Sequence, residues 1–136
     1  MGIRLEFKHI MVRAIVKNPV KTVDELKAWS LGVIDAVNMK VAEIPGEKNP
    51  IAWKCEIPGN EGMTLVAVIE TSNLAYHDWI VEGGTMVELD LFSCGPFTKE
   101  QVIGEIMKLD PISLEYKFFD REHSLDLLDE GSFIFD

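Results

Sequence analysis

Apolar and polar residues alternate at the start of the chain, where Ile3, Leu5 and Phe7 are separated by Arg4, Glu6 and Lys8. That period of two predicts a long strand from Ile3 to Val16, closed by Asn18-Pro19. The period then changes. Thr22-Val-Asp-Glu25 reads as a capping box, and Val23, Leu26, Trp29, Val33 and Val37 follow at spacings of three and four. One face of a helix that fades near Asn38 is therefore apolar. Met39 to Ile44 and Ile51 to Ile57 read as short strands around the turn 45–50, and 58–62 is a second turn. Thr64 to Glu70 (TLVAVIE) is almost continuously apolar and predicts a buried central strand. A polar stretch from Thr71 to Gly84 separates it from Thr85–Ser93, where Val87, Leu89 and Leu91 alternate with Glu88 and Asp90. Thr98-Lys-Glu-Gln101 is a second capping box, and its helix stops at Pro111. Leu114, Tyr116 and Phe118 alternate in a last strand. This order predicts an α+β sandwich with a mostly antiparallel sheet.

With 136 residues, the chain has the length of one hydrophobic core. We expect a single domain over 1–120, followed by an acidic tail, 121–136, that keeps Leu125, Leu127, Leu128, Phe133, Ile134 and Phe135 and packs on the domain or on a second subunit. Thirteen basic against 23 acidic residues give a net charge of −10, which disfavours nucleic acid and anionic membrane as partners. Two cysteines are too few for a disulfide scaffold or a cysteine-rich zinc site. No HxH or HxxxH spacing occurs, so no metal is expected. The charged N-terminus lacks the apolar core of a signal peptide, and no stretch approaches a membrane span. The expectation is a cytoplasmic protein.

Chemistry concentrates between Thr64 and Gly95, where Ser72, His77 and Cys94 stand at the ends of neighbouring apolar runs. Thr71-Ser72-Asn73, His77-Asp78-Trp79 and Phe92-Ser93-Cys94-Gly95 follow one another in that order. This pattern resembles the prokaryotic S-adenosylmethionine decarboxylases, pyruvoyl-dependent enzymes of polyamine synthesis. Their pattern runs Glu-Ser-His, His-Thr-Trp-Pro-Glu, then Phe-Thr-Cys-Gly. The interval of five from Ser72 to His77 matches without a gap, and Lys8-His9-Ile10 resembles the family's Gly-Lys-His-Leu opening.

The resemblance implies an antiparallel sheet with two helices on one face, and a homodimer that stacks two sheets into α-β-β-α layers. It implies a carboxy-lyase whose pyruvoyl cofactor is made from Ser72 by self-cleavage at Thr71–Ser72. The serine hydroxyl attacks the preceding carbonyl, the ester is eliminated, and a ketone caps the new N-terminus. His77 would be a base in processing, assisted by Thr64, and Cys94 the acid that reprotonates the decarboxylated carbon. Glu82 lies near the family's ribose-holding glutamate, and Phe7, Trp79 and Tyr76 are candidates to sandwich an adenine. The substrate would be S-adenosylmethionine, on the way to spermidine. Thr71 replaces the family's glutamate, Asn73 its histidine, and Ile80-Val81-Glu82 its Pro-Glu. Those departures keep two rivals open: a pyruvoyl decarboxylase of ornithine or arginine, and an unprocessed homologue that binds a nucleoside-like ligand or an active paralogue.

Overall fold

The computed structural model describes residues 6–135. Ile3 and Leu5, at the start of the expected first strand, lie outside the described residues. From there the chain runs β1 (Lys8–Val16), α1 (Val23–Ala36), β2 (Ile51–Cys55), β3 (Gly62–Ile69), β4 (Ser72–Val81), β5 (Gly84–Ser93), α2 (Lys99–Met107), β6 (Pro111–Asp120) and β7 (Asp126–Ile134). The strands form one antiparallel sheet in the order β2-β3-β4-β5-β1-β6-β7.

One face of the sheet carries the core. Ile10, Val12, Ala14 and Val16 of β1 alternate inward with Leu74 and Tyr76 of β4 and Val87, Leu89 and Leu91 of β5. Leu26, Val33 and Ile34 of α1 and Val102 and Ile106 of α2 close over them. Each fully buried aliphatic side chain contributes about 2 kcal/mol on removal from water. Both helices start where their caps predict. Thr22 Oγ1 accepts from Glu25 N (3.0 Å), and Thr98 and Gln101 bond reciprocally as a full capping box. The Trp29 indole donates to the Glu105 carbonyl (3.1 Å) and meets the Tyr76 ring edge-on, which ties α1 to α2 and to the sheet.

The opposite face of the sheet is open. Ile51, Trp53, Val66 and Val68 stand exposed on its β2–β3 half. The apolar run TLVAVIE is thus not a doubly buried strand, because every second residue faces outward. The stretch 71–84, expected to be a polar connection, contains β4, a ten-residue strand near the middle of the sheet. Its inward Asp78 is satisfied, with the Tyr76 hydroxyl donating to Oδ2 (2.6 Å) and Met63 N to Oδ1 (2.8 Å). Burial, and then the Asp78 charge, push the Tyr76 phenol far above its ordinary range, so it remains a neutral donor.

The expected strand Met39–Ile44 reduces to one bridge, Val41 with Ile69. The Asn49 side chain takes the place of a ladder partner there. It accepts from Val68 N (2.9 Å) and donates to the Val68 and Ala42 carbonyls (2.7 and 2.8 Å). The expected tail is the edge strand β7, paired with β6 from Ser113 to Asp120. Lys99 of α2 donates to Tyr116 Oη (3.0 Å) and pairs with Asp129, clamping helix, β6 and β7 together. That pairing holds the Asp129 carboxyl below, and the Lys99 ammonium above, their usual ranges. Among the described residues no helix is long and apolar enough to cross a membrane.

Gly62 has no room for a side chain, because an added Cβ would lie 1.9 Å from the Asp78 carbonyl oxygen. That oxygen is backbone and cannot swing aside. Gly62→Ala is therefore expected to destabilise the fold by about 2–3 kcal/mol and to lower the melting midpoint by roughly 5–12 °C. A melt within about 1–2 °C of the parent, roughly 0.5 kcal/mol, would show that β3 and β4 separate more easily than this packing implies.

Candidate active site

β3 turns into β4 through Glu70 and Thr71 alone, with Ile69 and Ser72 paired on either side. Two contacts hold this tight hairpin: Glu70 N donates to the Lys40 carbonyl (3.0 Å), and Cys94 N donates to the Thr71 carbonyl (3.1 Å). The second is a continuation of the β4–β5 ladder one step past the Ser72–Ser93 pair. The Cys94 thiol also reaches the Thr71 carbonyl oxygen, at 2.9 Å. The carbonyl immediately before Ser72 thus receives two donors from one residue, a backbone N–H and an S–H. Negative charge developing on that oxygen would be stabilised as in an oxyanion hole.

Three hydroxyls gather behind the turn. Thr71 Oγ1 lies 3.1 Å from Ser72 Oγ and 3.4 Å from Ser93 Oγ. Ser93, fully buried, accepts from Gly95 N (2.8 Å) and donates to the Met39 sulfur (3.3 Å), which Ser72 Oγ also approaches (3.5 Å). A cavity of about 420 Å³ opens beside this turn between Met39, Lys40, Glu70, Thr71, Gly95 and Pro96. Phe7 lies at the same end of the sheet: Arg121 N donates to its carbonyl (2.7 Å), and the preceding Glu6 N donates to the Cys94 carbonyl (3.1 Å).

Thr64 and His77 form a second group. They are directly opposed on β3 and β4, with Thr64 Oγ1 3.0 Å from His77 Nδ1, and the His77 ring stacks on Trp79 at 5.7 Å. This group lies on the open face. It borders a cavity of about 730 Å³ whose walls include Arg13, Glu88, Glu115, Lys117 and Glu130. His77 stands five residues along β4 from Ser72, or ~17 Å at 3.3 Å per residue, and an odd interval puts the two side chains on opposite faces. One chain therefore does not bring His77 and Thr64 to Ser72 and Cys94. Glu82 is farther still, exposed in the β4–β5 turn, ~30 Å along the strand from Ser72. Tyr76, considered for the aromatic sandwich, is fully buried under α1 and is excluded from that role.

Sequence reasoning passed over Ser93 and Met39. Ser93 sits inside the quoted Phe92–Gly95 motif, and its place one period beyond Leu91 marks it as inward-facing. No pattern in the sequence brings Met39 to it.

The antiparallel α+β layer thus carries, at its β3–β4 turn, a serine whose preceding carbonyl receives two donors from Cys94. The family model for S-adenosylmethionine decarboxylase matches residues 8–122, and the chain belongs to that family. Strand β7 lies beyond the matched segment. No curated protein matches the sequence.

Proposed function

We propose that this chain cleaves itself between Thr71 and Ser72 and then decarboxylates S-adenosylmethionine, supplying aminopropyl groups for spermidine. The observation that carries this reading is the doubly bonded Thr71 carbonyl. Ser72 Oγ attacks that carbonyl carbon while Cys94 N–H and Sγ–H hold the oxygen. The carbon–nitrogen bond breaks, and the residue 72 amine is released with Thr71 as an ester on Ser72 Oγ. Removal of the Ser72 α-proton then expels the Thr71 carboxylate. The resulting dehydroalanine tautomerises to an imine, water replaces its nitrogen, which leaves as ammonia, and the ketone so formed at position 72 would supply an electron sink as carbon dioxide departs. Cys94 Sγ, already at the turn, is placed to return a proton to the decarboxylated carbon.

The base for α-proton removal is His77, held by Thr64, and it acts from a second copy of the chain. The open sheet face supports this arrangement. Its exposed Ile51, Trp53, Val66 and Val68 are suited to burial against a like face, and a two-fold stack presents each copy's Thr64–His77 pair to the other's open face. From that face the α-carbon of Ser72, a backbone atom of the sheet, would be approached although its side chain points to the opposite face. Mixing a Ser72→Ala chain with a His77→Ala chain during refolding is expected to restore cleavage to His77→Ala protomers paired with Ser72→Ala partners. Their cleavage remaining as slow as in the His77→Ala homodimer would place all the chemistry within one chain.

The function is tested by carbon dioxide release from carboxyl-labelled substrates. S-adenosylmethionine is expected to be consumed, with ornithine and arginine inert. Turnover of ornithine or arginine alone would transfer the same site to a basic amino acid. A protein that turns over none of the three would be a binding homologue.

A further inference from the structure

The Ser72 hydroxyl, which must lose its proton as it attacks, has neither an imidazole nor a carboxylate in hydrogen-bonding reach among the described residues. Its oxygen partner is Thr71 Oγ1, and its other contact is a thioether, a weak acceptor. The direction of the hydroxyl chain follows from its far end. Ser93 Oγ accepts from Gly95 N–H and gives its own proton to the Met39 sulfur. A lone pair of Ser93 then remains for Thr71, whose hydroxyl donates towards it across 3.4 Å. Thr71 Oγ1 is thereby open as an acceptor for the Ser72 hydroxyl across 3.1 Å, and it is a better acceptor than the Met39 sulfur that the same proton can reach at 3.5 Å. The Ser72 lone pairs stay free for the Thr71 carbonyl carbon.

We propose that the Thr71 side chain, anchored by Ser93, is the positioning residue that orients the Ser72 hydroxyl for self-cleavage. This rests on the self-cleaving reading above and adds to it a role for the side chain on the acyl side of the scissile bond. In the step, the bond from Ser72 Oγ to the Thr71 carbonyl carbon forms as the bond to the Ser72 nitrogen breaks. The proton leaving Ser72 Oγ passes to Thr71 Oγ1, and the threonine hydroxyl returns one to the released nitrogen. No proton is gained or lost overall, and no external base is required.

Two variants separate hydroxyl from shape. Thr71→Val keeps the branched outline and removes the hydroxyl, whereas Thr71→Ser keeps the hydroxyl and removes the methyl group. Freshly folded, uncleaved protein is followed by intact mass at one pH, with the melting midpoint of each uncleaved form measured alongside. Thr71→Val is expected to cleave about tenfold more slowly than the parent, the kinetic equivalent of one hydrogen bond, and Thr71→Ser within about threefold of it. Cleavage of Thr71→Val at the parental rate overturns the proposal, as does the reverse ranking, which would mark a role in the shape of the turn. If Thr71→Val does not fold, Thr71→Ala against Thr71→Ser makes the same comparison. A parent chain that never cleaves overturns the self-cleaving reading and this proposal together. A parent that cleaves while Thr71→Val keeps pace overturns this proposal alone.

Discussion

Ser72→Ala is expected to leave the chain whole and without decarboxylase activity, whatever the incubation time. The substitution removes the hydroxyl that directly follows the Thr71 carbonyl held by the Cys94 donors. A processed fraction below one part in a thousand of the parent rate is anticipated, because a backbone amide offers no alternative route to a ketone at position 72. The loss cannot be ascribed to misfolding. Among the described residues Ser72 Oγ hydrogen-bonds only to Thr71 Oγ1 and the Met39 sulfur, so its removal costs about 1 kcal/mol of stability or less. Equal circular dichroism and melting profiles for the variant and uncleaved parent check this point. Carbon dioxide release that survives the substitution would remove the pyruvoyl mechanism from consideration.

Cys94→Ala carries the second large effect. It deletes the Sγ donor at the Thr71 oxygen and leaves the Cys94 N–H in place, so one of two donors is lost. Loss of a single oxyanion donor slows comparable acyl chemistry by about 10²-fold, and a drop of that order in self-cleavage is expected. Cys94→Ser keeps a donor of shorter reach and should fall between the two. The small fraction that does process is expected to turn over poorly, since the proposed reaction also uses the thiol to return a proton to the product carbon. A time course of intact mass gives the first effect, and carbon dioxide release per processed chain gives the second. Cleavage of Cys94→Ala at the parental rate would mean that the thiol contact does not polarise the scissile carbonyl.

The first strand, both helices and the strands around Val87–Leu91 and Leu114–Phe118 were legible because each has one buried face with an unbroken period. β4 was not. Its inward row is interrupted by Asp78, a carboxylate made tolerable only by Tyr76 and Met63 N, and its outward row mixes Asn73, Ala75, His77 and Trp79. The failure mattered for the site. Ser72, His77 and Cys94 could be singled out from their types and order, but the odd interval between Ser72 and His77 separates their faces only once 72–81 is known to be a strand. The loss of Met39–Ile44 as a strand has a similarly local cause, since the Asn49 amide takes the Val68 N–H and the Ala42 carbonyl that the return ladder bond would join. β7 escaped notice because an edge strand needs no alternation, and most of its residues are exposed on both sides.

The proposed function requires that the chain break its own Thr71–Ser72 bond. The most direct test is the intact mass of the purified, denatured protein. Two fragments are expected, 1–71 and 72–136, the second lacking a free amino terminus. A single species at 15.3 kDa, unchanged after prolonged incubation, would contradict it.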